Sequence, residues 1–270
     1  MPDAPLLARL RRRLLIGGKL VALAPAFLVG LPLQWLALKL GWRAAYRWMP
    51  VLFHRYLLMA LRVRVERMGE ADARRPLLIV SNHLSWLDIV VISSLAPVSF
   101  IAKSEVGAWP GFGTLARLQR SIFVERARRG KTAEVNATIA DRLSAGDAMV
   151  LFAEGTTSDG NRVLPFRSAL IGAAQALGQG GTSHVQPLNI AYPAIAGLPA
   201  TRVDQPHIAW YGDMDLVPHL SDLLALPPIT VRASFGEARV FTNGGDRKAM
   251  TLALETDVRQ MHAAALGRAA

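Results

Sequence analysis

The sequence predicts an α/β fold: a mostly parallel sheet flanked by helices, preceded by an N-terminal membrane-embedded helical hairpin. Three observations predict it. From about residue 63 onward, short apolar runs alternate with helix-length amphipathic segments, the pattern of successive βα units. Runs such as Leu77-Leu78-Ile79-Val80 and Met149-Val150-Leu151-Phe152 are continuously apolar, as strands covered on both faces are. Residues 20–38 carry no charged side chain, close to the length of one membrane span.

The bulk composition narrows the function classes. The 270-residue chain is 51% hydrophobic, yet its formal net charge is +11. Strong positive charge favours an anionic partner, and abundant hydrophobicity makes a membrane surface a better candidate than nucleic acid. Aromatic residues are not interleaved with basic ones in the manner of a nucleic-acid platform. There is no cysteine, which excludes disulfides, thiolate nucleophiles and Cys-ligated zinc.

Two regions follow from these patterns, a membrane-anchoring segment over residues 1–60 and an α/β domain over 61–270. The anchor opens with Arg9, Arg11, Arg12 and Arg13. Pro25, Gly30 and Pro32 interrupt the apolar run near its middle, and Lys39, Arg43 and Arg47 follow it. Basic flanks on both sides favour a hairpin that enters one leaflet and returns, with both ends on the cytoplasmic face. Trp35, Trp42 and Trp48 suit interfacial anchors. A cleaved signal is a weaker reading, because Lys19 splits the apolar run and hydrophobicity continues past Ala22-Leu23-Ala24.

In the second region, strands are expected at residues 76–81, 98–102, 121–124, 148–152, 185–192 and 230–235. A further short segment is expected at 207–211. Helices are expected at 85–95, 131–143, 167–177, near 216–226 and over 246–262, with a short one inside 107–120. The helix at 167–177 would turn Leu170, Ala173, Ala174 and Leu177 to one face. Pro187 opens its strand with a missing N–H, which suggests an edge or a bulge.

Chemistry concentrates in Ser81-Asn82-His83-Leu84-Ser85-Trp86-Leu87-Asp88. Ser85 followed three positions later by Asp88 is a helix-start signature, so His83 falls in a strand-to-helix turn. On an uninterrupted helix Asp88 would point about 140° away from His83. With His83 in the turn, the carboxylate can instead fold back to the imidazole, fix its tautomer and stabilise the imidazolium. Asp88 acting only as a capping acid is the competing reading. Other strand ends carry Glu125-Arg126 and Glu154-Gly155-Thr156-Thr157-Ser158-Asp159-Gly160. In a parallel sheet these would converge with His83 at the carboxyl ends of the strands.

Taken in order, these clusters resemble the glycerolipid acyltransferase family, the lysophosphatidic acid acyltransferases and their relatives. Asn82, His83 and Asp88 match the motif N-H-x-x-x-x-D, and Ile122-Phe123-Val124-Glu125-Arg126 resembles the apolar strand leading to arginine. Phe152, Glu154, Gly155, Thr156 and Ser158 match F-P-E-G-T-R-S, and Val185, Pro187 and Leu188 match V-x-P-[VIL]. Ala153 and Thr157 depart from the third motif, and Thr157 removes a phosphate-binding arginine for which Arg162 or Arg167 could compensate.

The resemblance implies acyl transfer from an acyl thioester, acyl-CoA or acyl carrier protein, to the free hydroxyl of a lysolipid. The acceptor it points to first is 1-acyl-sn-glycerol-3-phosphate. The run from Glu154 to Gly160 also looks like that of bacterial lyso-ornithine lipid acyltransferases, the alternative acceptor class. It further implies His83 as general base and Asp88 as its orienting acid. Asn82, Arg126, Glu154, Gly155, Thr156, Thr157 and Ser158 are implied on the acceptor side, with no metal or cofactor, at the inner membrane of a bacterium. A lipid hydrolase is disfavoured by the lack of a G-x-S-x-G elbow. An inactive membrane scaffold is disfavoured by the intact His83/Asp88 pair.

Overall fold

The computed structural model of the chain describes residues 6–124, 132–172, 181–242 and 244–268. It opens with helix α1 (Leu6–Pro25), which runs through a π-helical turn (Ala26–Gly30) directly into α2 (Leu31–Lys39). The three form one apolar helix of 34 residues. The expected reversal at Pro25–Pro32 is therefore absent. The π turn carries the backbone past the two prolines, whose missing N–H groups interrupt the regular hydrogen-bond ladder. The chain reverses instead at Gly41, which has φ +64.

Helix α3 (Arg43–Leu61) then packs back along the long helix. Gln34 Nε2 donates to Tyr46 O at 3.1 Å, Tyr56 Oη donates to Ala22 O at 2.7 Å, and Phe27 meets Phe53 edge-to-face at 5.6 Å. The inner face of α3 joins the main core through Leu57, Leu58 and Leu61. The opposite side of the long helix leaves Leu7, Leu14, Val21, Leu28 and Trp35 exposed at seven-residue spacing.

Strands β1 (Val63–Met68) and β2 (Leu77–Ser81) follow, then α4 (Leu87–Leu95), β3 (Val98–Lys103) and a 3₁₀ turn (Ser104–Ala108). Next come α5 (Phe112–Leu118), β4 (Ile122–Val124), α6 (Thr132–Ser144), β5 (Ala148–Phe152) and α7 (Ser168–Ile171). The chain continues with β6 (Thr182–Ile195), β7 (Leu198–Pro199), α8 (Gln205–Ile208), α9 (Leu216–Ala225), β8 (Ile229–Phe235), β9 (Arg239–Thr242) and α10 (Arg247–Ala265). The sheet runs β1-β8-β6-β2-β5-β3-β4, with β7 and β9 also pairing β6. Strands β2 to β6 are mutually parallel, whereas β8 is antiparallel to β6 and carries β1 parallel to itself. The sheet is thus mixed, mostly parallel at its centre.

Three expectations change here. Pro187 lies in a central strand rather than at an edge. Its missing N–H costs little because β6 changes partner there: residues 182–185 pair β9, and pairing with β8 begins at Leu188. The segment 207–211 is not a strand: α8 covers its start and Ala209 turns the chain out. Strands β1, β7 and β9 were not expected as elements. Apart from α7, the expected helix at 167–177, including Ala173, Ala174 and Leu177, lies outside the described residues, as does the side chain of Leu170.

At the end of the sheet away from the β2 carboxyl terminus, Asp147 is surrounded by arginines. Arg47 Nη2 lies 2.7 Å from its Oδ1, while Arg120 Nη2 and Arg142 Nε lie 2.8 and 2.6 Å from its Oδ2. Burial alone would raise this carboxyl, but the Arg142, Arg47 and Arg120 guanidiniums outweigh it and hold it below the ordinary range. The cluster ties α3, α6 and β5 together. Asp147→Ala leaves three guanidiniums without their shared partner. Because these are partly solvated, the expected cost is near the lower end for a broken buried pair, about 3 kcal/mol. Urea unfolding should report it, with specific activity of the folded fraction unchanged.

Candidate active site

Strand β2 ends at Ser81, and the next residue closes the strand end. The Asn82 carboxamide donates to Ile190 O at 2.8 Å and accepts from Ile190 N at 2.8 Å. Both its ends bond β6 backbone and the residue is buried, so Asn82 fixes the turn. His83 stands in that turn, with α4 beginning four residues later.

Asp88 is fully buried in the first turn of α4. Its Oδ2 faces His83 Nδ1 at 2.8 Å and accepts from the N–H groups of Leu84 at 2.7 Å and Ser85 at 2.9 Å. Its Oδ1 accepts from Tyr192 Oη at 2.5 Å. Asp88 is therefore a capping acid and the partner of the imidazole at once; the two sequence readings do not compete. Because Nδ1 faces a carboxylate that can only accept, the proton of a neutral ring sits on Nδ1 and Nε2 is the open base position.

One face of the His83 ring stacks on Phe152 at 3.7 Å between centroids, with an interplanar angle of 10°. Phe152 in turn stacks on Phe100 at 5.9 Å. The His83 side chain is 17% exposed, enough to meet a ligand while Asp88 stays dry. Behind this aromatic wall lies a cavity of about 480 Å³. Leu23, Phe27, Phe53, Trp86, Val90 and Phe100 are among its mostly apolar lining residues.

The segment after β5 forms the other wall. Gly155 adopts φ +74, a left-handed conformation that lets the chain turn sharply. Ser158 N donates to His83 O at 2.9 Å, so this segment braces the histidine turn through backbone. Thr156 is exposed, Thr157 half-buried and Ser158 buried. The brace is held from behind by His262, whose ring nitrogens lie 3.0 Å from Asn189 Oδ1 and 3.3 Å from Gly160 O. Burial lowers His262 to about 4, so the ring is neutral. Arg126 lies outside the described residues. Among the described residues, no group of three or more His, Asp or Glu side chains is placed to hold a metal ion.

Glu154 is not displayed to the cleft. It is 2% exposed, and neither carboxyl oxygen has a hydrogen-bond partner among the described residues. Burial pushes it up to about 9, and the Asp88 charge adds to the rise. The nearby His83 and Leu164 backbone and Arg259 oppose the shift without cancelling it. Glu154 is thus a neutral acid at pH 7. Residues that spacing alone did not single out include Tyr192, Phe100 and the stacking role of Phe152; their signal exists only once the strands are ordered.

Comparison with known proteins identifies the family. The chain matches the acyltransferase family over residues 62–191. It is 49% identical over 263 residues to the lyso-ornithine lipid O-acyltransferase of Brucella abortus (strain 2308), covering 95% of this chain and 96% of that protein. It is 47% identical over 239 residues to the protein of the same description from Rhizobium meliloti (strain 1021), covering 87% and 81%. The 1-acyl-sn-glycerol-3-phosphate acyltransferase of Neisseria meningitidis serogroup B is more distant, 29% identical over 207 residues, covering 76% of this chain and 77% of that protein. The crystal structure of the 1-acyl-sn-glycerophosphate (LPA) acyltransferase PlsC from Thermotoga maritima shares the fold. Its TM-score is 0.55 at 19% identity, covering 90% of this chain and 97% of that one.

The buried Glu154 yields a test. Its folded pKa lies above its unfolded value, so the protonated form stabilises the fold fully below about 4.5 and progressively less as pH rises toward about 9. Glu154→Gln keeps the shape without the titration. Its Tm should gain on wild type steadily between about pH 5 and about pH 9.

With the ordered motifs, the imidazole–carboxylate pair at the strand ends and relatives matched along nearly the whole chain, this protein belongs to the acyltransferase family and is a lysolipid O-acyltransferase.

Proposed function

We propose that the protein transfers a fatty acyl group from an acyl thioester to the free hydroxyl of a lyso-ornithine lipid. The observation that carries the reaction chemistry is the pairing of His83 Nδ1 with the dry Asp88 carboxylate, which leaves Nε2 to accept a proton. His83 takes the proton of the acceptor hydroxyl as its oxygen attacks the thioester carbonyl. The tetrahedral intermediate collapses, the thiolate leaves, and the imidazolium returns a proton to it. Asp88 stabilises the imidazolium without leaving its hydrogen bonds.

The choice of acceptor rests on the two relatives aligned over most of the chain, both described as lyso-ornithine lipid O-acyltransferases. This reverses the order in which the motifs alone rank the acceptors. Thr157 supports the same choice, since a hydroxyl stands where a phosphate-binding arginine is usual in the glycerol phosphate enzymes. The acyl donor is an acyl-CoA or an acyl carrier protein. The apolar cavity beside the aromatic wall holds an acyl chain; its volume falls in the usual range for ligand pockets.

The protein works at a membrane. The exposed stripe Leu7, Leu14, Val21, Leu28 and Trp35 lies in the lipid interface while the other side of the long helix packs on the enzyme. Basic residues at both ends of the helix support the cytoplasmic face.

Purified protein incubated with labelled acyl donor and with lyso-ornithine lipid or lysophosphatidate tests the acceptor. Preferred acylation of the ornithine lipid is expected; faster acylation of lysophosphatidate would overturn the choice. In the same assay His83→Ala should lose about 10²–10⁴ in rate. Ala24 lines the cavity, and Ala24→Trp should shift donor preference to shorter chains. Competition between labelled long- and short-chain donors measures it.

A further inference from the structure

Asp88 is held by two unlike sets of donors. Oδ2 receives His83, Leu84 and Ser85, all from its own turn. Oδ1 receives Tyr192, which lies 104 positions away in sequence on β6. The phenol is fully buried, and no other donor to Oδ1 exists among the described residues. An orienting carboxylate must keep one oxygen on the imidazole while its charge responds to the proton on Nε2. The far oxygen determines both, because a donor there blocks rotation of the group and withdraws part of its charge.

The fold aims Tyr192 with several independent devices. Two residues upstream, Ile190 is clamped in both directions by Asn82. Its pairing with β8 is regular up to Ala191 and resumes at Ala194, so Tyr192 and Pro193 stand in an irregularity of the kind that redirects side chains. Gln205 Nε2 donates to Tyr192 O at 2.8 Å and holds the backbone behind the ring. Burial and the Asp88 charge keep the phenol protonated well above its ordinary range, so it acts only as a donor.

We propose that Tyr192 is a positioning residue for acyl transfer, completing a His83–Asp88–Tyr192 chain that sets the orientation of Asp88 and the basicity of His83. This deepens the proposed reaction and rests on His83 being its base. The charged and titratable groups facing the chain are few. Glu154 approaches from the segment after β5, and the Asp88 charge helps to raise it. His219 on α9 meets the Trp86 indole, whose Nε1 donates to His219 Nδ1 at 3.1 Å. Among the described residues, Asp88 has no charged partner other than His83.

Tyr192→Phe removes one oxygen and keeps the ring. Asp88 then carries more uncompensated charge, which favours the imidazolium. The acid limb of kcat/KM should move to higher pH by about half a unit. At the pH optimum kcat should fall by roughly 5- to 100-fold, with KM for donor and acceptor changed by less than about 3-fold. The acid limb is the readout because Glu154 titrates on the alkaline side. Site-specific incorporation of 3-fluorotyrosine at position 192 supplies a more acidic phenol, a stronger donor, and should move the same limb to lower pH. If Tyr192→Phe does not fold, the fluorotyrosine enzyme decides alone. Opposite displacements of the limb, or the fluorotyrosine displacement by itself, support the proposal. An unmoved limb, or a loss seen only in KM or in Tm, overturns it. Full turnover by His83→Ala would instead overturn the base assignment on which it rests.

Discussion

The carboxylate of Asp88 is the constraint around which the rest of the structure is arranged. A buried charge is tolerated only when its lone pairs are satisfied, and here four donors converge on it. Two are backbone amides of its own turn, so the acid also closes the turn between β2 and α4. One is the imidazole that faces the cleft, and one comes from β6. Capping, sheet assembly and the chemistry of the ring therefore share one group. That economy explains why Asn82 is committed to β6 backbone. The register that it fixes is the register that brings Tyr192 to the acid.

Around this charge the enzyme separates dry and wet sides. Phe152 and Phe100 stack in series against His83, and Phe100 also lines the apolar cavity. The segment from Gly155 to Ser158 braces the same turn from the other side through a backbone hydrogen bond. The neutral Glu154 behind it keeps a second negative charge away from Asp88. At the opposite end of the sheet, the arginine cluster on Asp147 secures α3 and α6 against β5, so α3, which lines the cavity, is tied down at its far end.

Several elements were legible because local pattern and tertiary role agree. The strand at 148–152, the helix at 131–143 and the long C-terminal helix follow from apolar periodicity, and Asp246 caps the last by accepting from Lys248 N and Ala249 N. Others were misread where tertiary context overrides local chemistry. Pro187 reads as an edge or a bulge, yet it sits in a central strand where the neighbour of β6 changes from β9 to β8. Pro25 and Pro32 read as a hairpin turn, yet a π-helical turn absorbs them and the long helix continues. No local rule distinguishes these outcomes, since each depends on what packs alongside.

The sequence by itself determined the alternation of strands and helices, the apolar N-terminal segment, and the position of His83 in a turn five residues before Asp88. It did so because period, capping and turn chemistry act over a few residues. Only the tertiary structure decided that Asp88 caps and orients at once, that Glu154 is sealed away from the cleft, and that Tyr192 supplies the fourth donor. Those depend on strand order and register, which bring together side chains such as Asp88 and Tyr192, 104 positions apart. Burial and hydrogen-bond partnership are set by that assembly, and with them the protonation and reach of each group.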